Sequence, residues 1–188
     1  MLLKRVISGL ITLLIVACRP TEAPKPYGYF RIQLPEQSYI TVSDNKPFAF
    51  ELPVSARLVN RTFPHEAYWF DIEYPGLNAA IHVSYKPVKS NLAELSEDAR
   101  KFVYKHSIQA DDISEQVFVN QQNQVYGILY EIRGNTASNI QFVLTDSVRH
   151  FVRGALYFDN EPNKDSIAPV TNFIRTDIRR FIETFSWK

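Results

Sequence analysis

The end of the chain constrains the fold most. Val170, Phe173, Ile174, Ile178, Phe181, Ile182 and Phe185 recur at three- and four-residue spacing, so a helix here carries one broad apolar stripe that must be buried against another layer. Asp165 or Ser166 is expected to cap it, with Pro169 in its first turn. A second stripe, Leu92, Leu95, Ala99, Phe102, Val103 and His106, predicts a helix over 92–108, and Asn91 with Glu94 has the spacing of a capping box.

Strands fill the rest. Short alternating runs at 29–32, 48–52, 69–74 and 80–85 are bounded by Pro35, Pro47, Pro53, Pro64, Pro75 and Pro87, where a missing N–H does least harm to a ladder. Further strands are expected at 117–119, 125–132, 140–145 and 151–158. Two helices separated by strands on tight turns predict an α+β fold, a mostly antiparallel β-sheet with two main helices packed on it as a layered sandwich. By pattern alone it resembles the Mog1/PsbP-like sandwich, a binding and assembly scaffold.

The N-terminus reads separately. Residues 1–17 pair a basic start, Lys4 and Arg5, with an apolar run from Val6 to Ala17, the layout of a signal peptide. Twelve helical residues rise only about 18 Å, short of the ~30 Å hydrocarbon core, so a permanent span is not expected. Ile15-Val16-Ala17-Cys18 resembles the bacterial lipobox, which implies lipid attachment at Cys18, the chain's one cysteine. Two or more acyl chains give stable membrane anchoring. Residues 18–26 then form a lipidated, proline-rich tether, and residues 27–188 a single globular domain. Loss of Lys4 and Arg5 from the 21 basic residues leaves 19 against 20 acidic ones, so no basic surplus remains for nucleic acid.

Motifs that carry chemistry are missing: no HExxH, GxSxG, Walker loop, GxGxxG or cysteine pair occurs. No catalytic residue, cofactor or metal is therefore expected, and the chain reads as a non-enzyme. Asp159 to Asp165 alternates oxygen donors but has Lys164 where a calcium loop needs glycine, so it reads as a polar loop before a helix. His106 lies at a helix end beside Ser107, Asp111 and Asp112, and His82 and His150 sit on strands without a patterned carboxylate partner. Two segments are candidates for partner binding. Tyr27, Tyr29, Phe30 and Arg31 mix aromatic anchors with a cation, either as a partner-facing surface or as a first strand. Asn135 and Thr136 occupy a turn that reads first as hairpin chemistry and second as a binding loop.

PKPYGYFRIQLPE (24–36), DARKFVYKHSIQADDISEQ (98–116), VYGILYEIRGNTASNIQFVLTDS (125–147), RGALYFDNEPNKDSIAPV (153–170) and IETFSWK (182–188) together resemble the gliding motility lipoprotein GldD family. The resemblance implies a palmitate-bearing cell-envelope lipoprotein, anchored to a membrane, facing the periplasm, and serving gliding and type IX secretion with other envelope proteins as partners. It carries no catalytic residue. The alternative from another class is a lipoprotein that binds a small ligand, lipid or glycan on its sheet, for which a deep apolar pocket with few polar groups is the mark.

Overall fold

The computed structural model describes residues 32–105, 110–159 and 163–188. Residues 1–31 lie outside the described residues, and with them the signal peptide, Cys18, the tether, Tyr27, Tyr29, Phe30 and Arg31.

Two sheets form. Strands β3 (Arg57–Phe63), β4 (Glu66–Tyr74), β5 (Ala79–Pro87), β6 (Ala110–Asn120), β7 (Val125–Gly134), β8 (Ile140–Thr145) and β9 (His150–Phe158) make a seven-stranded antiparallel sheet in the order β3-β4-β5-β9-β8-β7-β6. It is two meanders joined where β9 returns beside β5, in register from Ala79↔Phe158 to Pro87↔His150. A small sheet, β1-β2-β10, is built from β1 (Tyr39–Val42), β2 (Phe48–Pro53) and β10 (Ser186–Trp187).

Strand alternation sends one set of side chains to each face of the large sheet. Phe70, Ile72, Ile81, Val83, Leu129, Phe142, Leu144, Val152 and Leu156 share one face and are buried. The long helix Lys164–Thr184 covers that face, burying Val170, Ile174, Ile178, Phe181 and Ile182. Phe48 and Phe50 of β2 complete the lid, with Phe50 stacked on Phe70 at 5.4 Å and tilted against Phe181 at 4.5 Å. The other helix, Leu92–Lys105, lies on the opposite face against β8 and β9. In chain order the two are α1 (Leu92–Lys105) and α2 (Lys164–Thr184). The expected α+β layered sandwich is the observed fold.

Several local expectations are corrected. Asn163, rather than Asp165 or Ser166, caps α2, its side chain accepting the Ser166 N–H at 3.2 Å. The helix therefore starts earlier, and Pro169 falls inside it instead of in its first turn. Its missing N–H frees the carbonyl of exposed Asp165, which water can satisfy. Asn91 takes the N–H of Lys89 at 2.8 Å, a turn ahead of α1 in place of a capping box. The strand expected at 117–119 runs from 110 to 120, and β1, β3 and β10 add to the expected set.

Gly154 shows how tightly the covered face is packed. A Cβ there would collide with the Phe142 ring, which crosses β9 to reach Phe181 at 5.4 Å. Overpacking of this kind costs about 1–3 kcal/mol. Gly154→Ala should lower unfolding stability by that amount in urea titration. Much of the loss should return when Phe142→Leu is added, since neighbours sharing one volume couple.

Asp177 anchors the N-terminal segment to α2. It is 2% exposed and accepts from Tyr39 Oη at 2.8 Å, Tyr74 Oη at 3.1 Å and Gln37 Nε2 at 3.2 Å. Burial raises its pKa above the ordinary 3.8, and the three hydrogen bonds only partly offset that. Because the folded carboxyl holds its proton more tightly than the unfolded one, its contribution is complete below about pH 4. It declines as pH rises through the folded value. Asp177→Asn should flatten this decline, so that the stability difference between wild type and variant changes with pH only above about 4, as measured by urea unfolding over a pH series.

Candidate functional site

On the second face α1 is narrower than the sheet beneath it. Ala99 and Val103 are buried, Val103 against Tyr130 and Ile132, but Phe102 of the same predicted stripe is 52% exposed. Beside Leu95 and Phe102 the sheet drops into an open cavity of about 610 Å³. The middle strands β4, β5 and β9 supply its floor, and the β3–β4 hairpin closes the far side.

The hairpin is bent to do this. Pairing shifts register between Arg61 and Phe63, and Tyr68 sits at φ 60°, left-handed backbone that costs a tyrosine energy. The bend brings Phe63 edge-on to Trp69 at 5.2 Å, and Trp69 Nε1 donates to the Tyr85 carbonyl at 3.1 Å. Lys86 spans this corner, paired with Glu66 and 5.4 Å over the Trp69 ring.

In the floor, Asp71 is 4% exposed and carries the charge network. It accepts from Arg61 Nε at 2.6 Å, and its other oxygen meets His82 Nδ1 at 2.7 Å. Asp71 and His82 are direct cross-strand partners, which overturns the reading of His82 as a histidine without a carboxylate. A carboxylate accepts only, so the imidazole donates through Nδ1. Glu73 adds a second acid near Arg61, at 3.6 Å, and holds Arg57 at 2.5 Å. Ser84, two residues along β5, donates to the Arg153 carbonyl at 3.4 Å. The Asp71–His82 pair is thus a fixed hydrogen-bonding group at the edge of an aromatic cavity. Among the described residues no cluster of three or more His, Cys, Asp or Glu could hold a metal.

The other candidates lie elsewhere. His106 and Ser107 are outside the described residues, while Asp111 pairs with Lys164 at 2.7 Å and Asp112 with Arg133 at 3.8 Å. Asn135 is exposed and accepts the Lys164 N–H at 2.9 Å. Thr136 is 2% exposed, its hydroxyl donating to the Ser138 carbonyl at 3.3 Å. In this conformation the turn braces the start of α2, and Thr136 presents nothing to solvent. His150 stacks on Trp187 at 5.0 Å and meets Tyr85 Oη at 2.8 Å, and burial pushes its pKa down.

A second surface is the sheet's edge. Among the described residues strand β6 has a neighbour on one side only, and its Val117 and Val119 are 68% and 61% exposed. Its first half is guarded by Asp111, Asp112, Glu115 and a shift in register; its second half is not. At the opposite edge, β3 carries Arg57 and Arg61 and its own irregularity. Sequence reasoning missed Asp71, His82, Arg153 and Val117 with Val119, because each needs the strand register or the strand order to gain meaning.

A sandwich of this kind, with a helix on each face of an antiparallel sheet, has the PsbP-like fold. The cyanobacterial PsbP (CyanoP) of Synechocystis sp. PCC 6803 has a solution structure that superposes with a TM-score of 0.51 at 14% identity, over 87% of this chain and 100% of that one. At that identity the likeness concerns the fold alone. A search of curated proteins finds no match. The family model of the gliding motility lipoprotein GldD matches residues 19–187, and the chain belongs to that family. It is an accessory lipoprotein of gliding motility. No described helix is long and apolar enough to cross a membrane.

Removing the acid from the floor tests how the site is held. Asp71→Ala leaves Arg61 and His82 without their acceptor, but both are about half exposed and can turn to water. The expected loss is about 1 kcal/mol of stability, at the low end for an unmade buried hydrogen bond. In NMR spectra the His82 ring signals should broaden or shift while those of α2 stay in place.

Proposed function

We propose that this protein is a lipid-anchored, periplasm-facing accessory component of the gliding and type IX secretion machinery, acting by protein contact and not by catalysis. The anchor is the lipid on Cys18 of the matured chain, residues 18–26 are the spacer, and residues 27–188 are the working domain. Membership in the motility lipoprotein family supports the setting.

The observation that carries the contact reading is the unguarded half of β6. An edge strand whose outer backbone donors and acceptors have no strand partner among the described residues, and whose β-branched side chains are exposed beside them, is a template for an added strand from another chain. Backbone pairing supplies affinity there, and Val117 and Val119 supply the apolar side-chain contacts. Asn135 and the aromatic start of the domain, Tyr27, Tyr29, Phe30 and Arg31, are further contact positions on this reading.

Val117→Lys with Val119→Lys tests it. Both side chains are exposed, so the melting transition should stay within the ±0.5 kcal/mol expected of surface changes. Crosslinks from β6 to envelope proteins in intact cells should disappear, and gliding and secretion should fall with them. Wild-type motility, secretion and crosslinks in a normally expressed variant would overturn the proposal.

A further inference from the structure

The cavity beneath α1 has one charge too many. Arg61 pairs with Asp71, Lys86 with Glu66, and Asp98 with Lys101 at 3.4 Å. Arg153, the remaining charged group lining the cavity, has no ion-pair partner among the described residues. Its Nη2 donates to Gln141 Oε1 at 2.6 Å, and its guanidinium lies 4.8 Å over the Phe102 ring. Gln141 is 1% exposed, and its amide nitrogen has no hydrogen-bond partner, so the polar chain from Gln141 to Arg153 is short of acceptors. Burial pushes the Arg153 guanidinium down from its ordinary value, and the neighbouring Tyr157 hydroxyl only partly offsets this.

A guanidinium has five N–H donors in a planar fork and is matched by a carboxylate taking two parallel hydrogen bonds. Around it, Leu95, Phe102, Phe151, Trp69 and Phe63 offer an apolar lining for a body of substantial size. The volume of about 610 Å³ falls in the range of pockets that enclose one small organic ligand, roughly 300–1,000 Å³. The other cations are already engaged, so a second negative charge on the ligand would find no partner and would stand near Asp71 and Asp98. One charge and one apolar body is the complement.

We propose that this cavity binds an amphipathic organic monocarboxylate, its carboxylate paired with Arg153 and its aliphatic body lying along Leu95, Phe102 and Phe151. This site is separate from the β6 edge, and either can fail without the other.

The test is calorimetric titration of the full chain in non-ionic detergent with octanoate, 1-octanol and octylammonium, alongside Arg153→Gln and Phe102→Ala in the same micelles. The shared micelle cancels partitioning into detergent. Octanoate should bind one per chain, and at least tenfold more tightly than octanol or octylammonium. Arg153→Gln should weaken octanoate roughly 10- to 100-fold, the loss of a charge-assisted pair, and leave octanol unchanged. Phe102→Ala removes an exposed side chain and should fold; it should weaken both ligands several-fold and keep the preference for the carboxylate. Should Arg153→Gln fail to fold by circular dichroism, the wild-type preference and the Phe102→Ala titration decide. Equal affinity for octanoate and octanol, octanoate binding indifferent to Arg153→Gln, or no binding in the millimolar range would overturn the proposal.

Discussion

The structure depends on the burial of α2 against a phenylalanine-rich sheet face. Phe181 lies at the centre, 4.5 Å from Phe50, 5.4 Å from Phe142 and 5.5 Å from Phe185, so one helical side chain joins both sheets to the helix. Aromatic pairs at such distances add about 0.5–1.5 kcal/mol each beyond the area they bury. The short strand β10 exists because of this contact: Phe185 stacks on Phe48 at 5.2 Å, and the chain then pairs Ser186 and Trp187 with Ala49 and Phe48. Asp177, held by Tyr39, Tyr74 and Gln37, is the one buried acid of α2, and its role is to bring β1 over the helix.

The second face obeys a different rule. A 14-residue helix cannot cover seven strands, and α1 buries only Ala99 and Val103 fully. Leu95 and Phe102 continue the same stripe but border the cavity, so the groove follows from a mismatch in width. A fold selected for stability alone would close that gap with larger residues in the floor. Here the floor holds Asp71, His82 and Arg153 instead, and departures from the local rule tend to mark sites of function.

The sequence made the layers readable because burial on one side leaves a period. The stripe from Val170 to Phe185 and the alternation in β4, β5, β7, β8 and β9 are each the trace of a covered face. Edge strands lack that trace: β3 and most of β6 are exposed on both sides, so polar residues are tolerated and no alternation remains at 57–63 or 110–116. The start of α2 was misplaced for a related reason. Asn163, Asp165 and Ser166 are all good caps, and the choice among them falls to Asn163, with the next residue, Lys164, held by Asn135 of the β7–β8 turn and Asp111 of β6. The Asp71–His82 pair was invisible for want of register, since eleven residues and a turn separate two groups that end side by side.

Among the described residues Arg153 has no ion-pair partner, and this sets the strongest constraint on how the second face works. Asp71 and Asp98 both line the same cavity, yet Asp71 is already engaged by Arg61 and His82, and Asp98 faces Lys101 on the helix's wet side. An acid in the place of Ser84, two positions from His82 on the same floor, would neutralise the guanidinium within the protein. Serine stands there instead, with its hydroxyl turned to the backbone of Arg153. The result is a partly desolvated cation held by Gln141 and Phe102 with Tyr157 beside it, and with no carboxylate among its described partners. Such an arrangement costs stability, because burial takes water from the guanidinium and no carboxylate among the described residues replaces it.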